Sequence, residues 1–566
     1  GGMDGNLQFS TVQSNRIAGY TPSGRIGIRT GRWTLTASGS GSFTPVAESR
    51  FTETREQAGQ PLPFAGRSDS KSRTNYGRGH FSAVFDPTPK HTAGFDIEYT
   101  ERSTHMPTLS RTTLGQTQSD SRYRQHMDGN TLTATANYIW KIDTLGSQFK
   151  LIADYTRYTS DGDNSYHTTT CAPGTLRDSL YESATGSVYD ILTADAGLTR
   201  KLPHGLTLRA GLRYTRNDMA DKSRYAAQTQ GTWLALPEYS YDQHYTEQIG
   251  AAYASLEYSA GRWELSAGLR GEYTSVASQA FGRSYFGLFP NVSVSRALNA
   301  LRTWLLVAQW SRNIERPAFP ALNPARIRIS DYSWQSGNPS LRPTYIHRFS
   351  LTAVWKYRYT LTVGGNLHHD LIREIAHRDA TAPDAVYIRP ENHYTENHWF
   401  VAASVPAKIT RWWNLSVNAV GVMQRIRLNS TDSPATHYLM FADATCSFTL
   451  PAGFFAEAAY RAQSRLYSGN SEVGPRHTLS ATVKKQLFDK RLTLFCTLSN
   501  ITGCDWEFAS LTDGMRRTID TRQAWSGRLW KVGAAWNFRT GKKFRARTVE
   551  SAAETQRKRL VKSTEQ

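Results

Sequence analysis

Over most of this chain apolar and polar residues alternate with a period of two, in runs of ten residues or more. In 205–215, Leu206, Leu208, Ala210, Leu212 and Tyr214 fall on one face, and Thr207, Arg209, Gly211, Arg213 and Thr215 on the other. In 262–273, Trp263, Leu265, Ala267, Leu269, Gly271 and Tyr273 oppose Arg262, Glu264, Ser266, Gly268, Arg270 and Glu272. Such a period belongs to strands with two unlike faces. Strands of soluble sandwiches run about 5–6 residues, whereas about 9–11 tilted residues cross a bilayer. The runs here have the second length. The oily faces, with Leu206, Leu208, Leu212, Trp263, Leu265 and Leu269, are expected to meet lipid. The charged faces, with Arg209, Arg213, Arg262, Glu264, Arg270 and Glu272, are expected to line a lumen.

No segment approaches the roughly 18 consecutive apolar residues of a membrane-spanning helix, which excludes a helical membrane protein. The apolar fraction of 39% and the mean hydropathy of −0.52 do not oppose insertion, because a barrel carries its apolar surface on every second residue. The expected fold class is therefore all-β: a transmembrane antiparallel β-barrel of about 22 strands, an even number as in single-chain bacterial barrels.

The connections support that reading by sorting into two kinds. Short ones fall at Thr30–Gly31, Asp86–Lys90, Lys141–Ser147, Lys201–Gly205, Ala260–Gly261, Ala297–Leu301, Lys356–Arg358, Ala407–Thr410, Pro451–Gly453 and Phe488–Lys490. Long polar ones lie between them, near 46–72, 105–121, 161–185, 217–241, 313–343 and 503–523. Periplasmic turns and extracellular loops alternate in this way. Trp33, Trp140, Trp263, Trp304, Trp355, Trp412, Trp413, Phe454, Phe455 and Phe488 lie within a few residues of the short turns, where amphipathic rings suit headgroup depth; the competing reading is rings at the strand ends of a soluble sheet. Both termini fall on the short-turn side and are expected to be periplasmic, with residues 1–540 forming the barrel.

The first residues, Gly1-Gly2-Met3-Asp4-Gly5, show no charged segment followed by an apolar core, so the export signal of such a protein is expected upstream. The net charge is +20, and residues 541–566 carry eight Lys/Arg against three Asp/Glu. We expect that stretch to be a loosely held basic periplasmic tail, with a short helix around 549–560. The rest of the charge is dispersed along the strands, without the clustered basic module that a nucleic-acid partner requires. Cys171, Cys446, Cys496 and Cys504 form no CxxC and no metal-ligand spacing. Cys171 and Cys504 fall in outer loops, where a bridge is permitted, and their pairing stays open.

Catalytic signatures are absent: there is no GxSxG, HExxH, Walker loop or GxGxxG before a helix. His368-His369-Asp370 is not read as a metal site, because adjacent strand residues point to opposite faces. The sequon Asn414-Leu415-Ser416 sits within a strand and is read as coincidence. The chain is thus expected to be no enzyme and to hold no cofactor or metal.

Three stretches carry a resemblance. Phe289-Pro290-Asn291-Val292-Ser293-Val294-Ser295 is followed by a strand and then by Arg316-Pro317-Ala318-Phe319-Pro320-Ala321-Leu322-Asn323-Pro324; Gly337-Asn338-Pro339-Ser340-Leu341-Arg342-Pro343 opens the next strand; and 490–503, KRLTLFCTLSNITG, precedes the tail. In combination these resemble the Bacteroidetes outer-membrane β-barrel family, the barrel half of a TonB-dependent receptor. The family commonly has an acidic residue before the Asn where this chain has Ser499-Asn500. The chain also departs from the family in lacking a plug, an energy-coupling box and an N-terminal carboxypeptidase-like domain.

The resemblance implies an outer-membrane receptor for nutrient uptake. Its implied partners are outer-membrane lipid, a plug domain upstream or on a separate chain, TonB acting through that plug, and a surface lipoprotein lid. The prolines by themselves rigidify a surface loop between the thirteenth and fourteenth strands. Phe51, Phe64, Phe319, Tyr332 and Trp334, in the loops 46–72 and 313–343, are candidate ligand contacts, since exposed rings stack on sugars, cofactors or peptide side chains; packing of the loops on each other is the competing reading. Two other function classes remain: a plugless passive porin or adhesion barrel, and a secreted all-β carbohydrate-binding protein.

Overall fold

The alternating runs do form strands, and the strands close on themselves. In the structure, a computed structural model describing residues 1–279, 281–380, 382–544 and 548–560, 22 antiparallel strands make one barrel wall, and 4% of the chain is helical. Closure joins the first strand, Gly2–Gln13, to the last, Leu529–Gly541, in a register running from Gly2 opposite Gly541 to Gln13 opposite Trp530. With that ladder in place the barrel wall has no edge, as a sheet surrounded by hydrocarbon requires.

Side chains divide as the period of two dictates. In the strand Leu206–Thr229, Leu208, Leu212 and Tyr214 are exposed on the outside, while Thr215, Asn217, Met219, Asp221 and Ser223 are buried on the inside. In Trp263–Ser278, Trp263, Leu265, Leu269 and Tyr273 face out, and Glu272, Thr274 and Val276 face in. Rings gather at the short-turn end: Trp33 stacks on Phe85 at 4.4 Å, Trp304 lies 5.7 Å from Trp355, and the Lys485 ammonium sits 4.0 Å over Phe454.

The other end differs from expectation. The segments 46–72, 105–121 and 161–185 are not irregular loops, because their strands run on past the band of outward apolar residues as long hairpins, Trp33–Gln57 with Gln60–Thr88, His91–Leu114 with Thr117–Lys141, and Gln148–Ala172 with Thr175–Lys201. Two-residue turns close them. Ala58 and Gly59 both have positive φ, 51° and 76°, the backbone that matches strand twist in a tight hairpin. Continuous ladders satisfy the backbone groups of these polar segments, which a disordered loop would leave to water. The segment 217–241 is likewise mostly strand, Thr229 opposing Thr232. All four cysteines are free thiols.

An arginine at an outward midwall position is expected to destabilise the barrel by roughly 2–4 kcal/mol. Leu212→Arg should therefore lower the denaturant midpoint of folding into lipid vesicles, whereas Arg209→Gln, on the inward face, should leave it nearly unchanged. Equal midpoints for the two variants would contradict the assigned faces.

Candidate functional site

The inside of the wall is polar and ionic, and one connection folds into it. Residues 316–343 do not arch over the barrel mouth as a surface loop. They pass inward, where Phe319, Leu322 and Leu341, at 1%, 3% and 0% exposure, pack against the inward side chains Tyr189, Ile191, Met219, Tyr245 and Val276. Prolines 317, 320 and 324 suit the stretch 316–326, which holds one short helical turn, Phe319–Leu322, and precedes the short hairpin Ile327–Ser330 with Ser333–Gln335.

The two proline motifs dock on one another. The Gly337 amide donates to the Asn323 carbonyl at 3.0 Å and the Asn338 amide to that of Ala321 at 2.7 Å. A Cβ at Gly337 would lie 2.1 Å from the Asn323 oxygen, so only glycine fits. Polar side chains then tie the loop to the wall. Asn323 Nδ2 donates to Asp221 at 2.9 Å and its Oδ1 accepts from the Tyr241 hydroxyl at 2.5 Å. Asp331 accepts from Ser121, Tyr123 and Thr168 of two neighbouring strands and from Arg328.

Arg316 is the deepest of these ties. Its Nη2 donates to Glu272 at 2.6 Å and to Thr274 at 2.9 Å, and its Nε lies 3.9 Å from Glu247. Glu272 also accepts from Arg270 at 2.6 Å. Isolated buried charges are costly, whereas a paired, hydrogen-bonded set is tolerated.

Of the inward-face residues singled out in the sequence, Arg213 donates to the buried Asp195 at 2.7 Å and Arg209 to Glu257 at 3.1 Å. Arg262 and Glu264 are exposed near the short-turn end of their region, on the same alternation as Glu272. Among the rings, Phe319 is enclosed, 5.7 Å from Tyr189. Phe64 is buried between the Arg55 guanidinium, 3.6 Å above it, and Tyr332, 5.8 Å away edge-on. Trp334 lies beneath Arg326 at 3.8 Å. Phe51 sits half-buried, paired across strands with Ser68 and Thr521. The structure thus joins Phe64 with Tyr332 and leaves the other three apart. Sequence reading missed Glu247, Asp221 and Asp331, which sit in strand or loop text no different from exposed carboxylates.

At the long-hairpin end a recess of about 580 Å³ is lined by Arg50, Arg67, Arg465, Arg522, Trp506 and Asp505, among others. Asp505 is held there by Arg16 at 2.9 Å and by the Ser526 hydroxyl. Partial burial raises its pKa, but these two bonds and the charges of Arg16 and Arg522 outweigh it and hold the carboxyl below its ordinary value.

These features define a large outer-membrane β-barrel. A family model described as the outer membrane protein beta-barrel family matches residues 140–536, and the chain belongs to that family. No curated protein matches it in sequence. Solved structures similar to it include a doubly substituted form of the ferric enterobactin receptor PfeA of Pseudomonas aeruginosa (14% identity, TM-score 0.60, 95% of this chain and 80% of that one). The siderophore receptor PirA of the same organism (13%, 0.55, 95% and 80%) and the alcaligin outer-membrane receptor FauA of Bordetella pertussis (13%, 0.53, 94% and 76%) share the fold as well.

Arg316→Gln is expected to leave Glu272 short of a partner and to loosen the inner loop by about 3 kcal/mol, seen as faster amide exchange across 316–343 with the wall strands still protected. Unchanged exchange would assign the anchoring to apolar packing alone. A second outcome concerns acid. A carboxyl with a depressed pKa stabilises the folded state above its unfolded value and loses that contribution as pH falls through the folded one. Protection against amide exchange in 503–528, taken relative to the intrinsic rate at each pH, should accordingly stay flat from neutral pH to the ordinary carboxylate range and fall only below it, while Asp505→Asn should already lower it at neutral pH.

Proposed function

We propose that this barrel is the outer-membrane half of a nutrient receptor, taking up a bulky polar ligand at the long-hairpin end. Both termini then lie on the periplasmic side. The observation that carries this reading is the arrangement of the two ends: short turns ringed by aromatics at one, and at the other tall hairpins standing around a lumen narrowed by an inner loop. An open passive porin fits less well with a lumen narrowed in this way, and a secreted carbohydrate-binding protein fits less well with the outward apolar band. Three receptors of similar fold are named for a siderophore, for ferric enterobactin and for alcaligin. A plug, on this chain's own gene or another, and TonB acting through it supply gating and energy in this scheme; a surface lipoprotein lid is a further partner by resemblance.

Binding of a ferric catecholate siderophore to the detergent-solubilised barrel, read by tryptophan fluorescence, tests the reading directly. Saturable binding supports it, and no binding together with a large, ohmic single-channel conductance would replace it with the porin. Tyr332→Ala combined with Trp334→Ala is expected to weaken binding roughly tenfold, the usual scale for truncated aromatic contacts, while heat-modifiable migration of the folded barrel stays unchanged. Loss of assembly in that variant would assign the two rings to structure.

A further inference from the structure

A loosely held tail is the expectation from sequence, and residues 548–560 do the opposite; 545–547 and 561–566 of that stretch lie outside the described residues. Thr548 and Glu550 line a cavity of about 1080 Å³ at the short-turn end, together with Gly1, Arg29, Lys141 and Lys150. From there the segment climbs the inner wall. Glu550 pairs with Lys150 at 2.6 Å, the Ala552 amide donates to Asp154 at 2.8 Å, Gln556 accepts from Asn217 at 3.3 Å, and Arg559 meets Glu247 at 2.5 Å. These partners lie 2, 6, 11 and 13 residues in from the short-turn ends of their strands, so each step is higher than the last. A turn of helix, Glu554–Arg557, continued by a 3-10 turn, Lys558–Leu560, sets the spacing of Gln556 and Arg559.

The far end of the segment is enclosed. Ala553 is 0% exposed and Arg559 6%. Arg559 has a complete set of partners: Nε donates to the Pro317 carbonyl at 2.9 Å, Nη1 to Gln556 at 2.8 Å as well as to Glu247, and the guanidinium lies 4.2 Å over the Phe319 ring. A planar guanidinium meets carboxylate, carbonyl and aromatic face at once with its donors in fixed directions, a fit that the compact ammonium of a lysine matches less well. Pro317 and Phe319 belong to the inner loop, so this one side chain ties the tail, the wall and the loop together. Leu560 packs beside them on the lumenal apolar cluster.

We propose that residues 548–560 form an internal strap that narrows the lumen from the short-turn side, with Arg559 as its latch in a guanidinium-binding site made by Glu247, Pro317 and Phe319. Released, the strap frees the path along the inner wall and withdraws one anchor from the inner loop. Closed, it holds that loop against the strands.

Endoproteinase Glu-C acting on the folded barrel in vesicles or detergent tests the placement without any variant, since Glu550 and Glu554 are in the strap. The wild-type chain should resist cutting at both sites; cleavage there as fast as in the denatured chain would overturn the proposal. Arg559→Gln leaves Glu247 short of its partner and is expected to speed cleavage roughly tenfold or more and to raise single-channel conductance. Glu247→Gln should do the same, and the two substitutions together should add little, because they undo one latch. Faster cleavage with wild-type conductance would also overturn the proposal, showing a bound tail that narrows nothing. Should either variant fail to assemble, Lys150→Gln removes only the lowest anchor, and it should expose Glu550 to the protease before Glu554; equal protection of both sites in that variant would count against the strap.

Discussion

Every other feature of this molecule depends on the hydrogen bonds between its first and last strands. A sheet in hydrocarbon cannot leave a row of amide and carbonyl groups unpaired, and the ladder between Gly2–Gln13 and Leu529–Gly541 removes the edge that would do so. Closure fixes which side of each strand is inside. Once that is set, a period of two in the sequence becomes a lipid face and a lumen, and a one-residue slip anywhere in the wall would exchange them.

The lumen is a chemical environment of its own. Its wall carries carboxylates, amides and hydroxyls that, in the region of the inner loop, are largely enclosed by polypeptide. Glu247, Glu272, Asp221 and Asp331 each accept from two or more donors. A charged network of this kind adds little net stability compared with an apolar core, but it makes position specific, because a displaced arginine leaves a carboxylate uncompensated. That specificity explains how the loop 316–343, whose regular structure is one helical turn and the short hairpin Ile327–Ser330 with Ser333–Gln335, holds one place inside a wide barrel. Arg316 and Asn323 choose the site, and Phe319, Leu322 and Leu341 supply the apolar contact that fills it.

The long hairpins solve a different problem. Above the membrane a strand can leave the wall or continue with its neighbour. Continuing keeps the ladder intact, so tall polar walls stand around the mouth without unsatisfied backbone. They bring Arg50, Arg67 and Arg522 of distant segments to one recess, with the short hairpin Trp506–Thr512 and Met515–Arg522 laid against the end of Trp33–Gln57.

The sequence by itself determined the wall. Alternation in stretches such as 205–215 and 262–273 is a local property, set by which residues can face lipid and which cannot, and it needs no knowledge of partners; the short turns, the rings beside them and the even strand number follow from the same local rule. It also marked the proline motifs as special without saying where they go. Only the tertiary structure decided what occupies the inside. Whether Arg316 or Arg559 is a solvated surface charge or a buried latch depends on carboxylates some 44 and 312 residues away in the chain, and no spacing in the text announces them. Polar segments such as 46–72 and 548–560 look alike as sequence, exposed and mobile by composition. One became a hairpin because its neighbour offered a ladder, and the other an internal strap because the closed wall offered it buried acceptors for its amides and guanidinium.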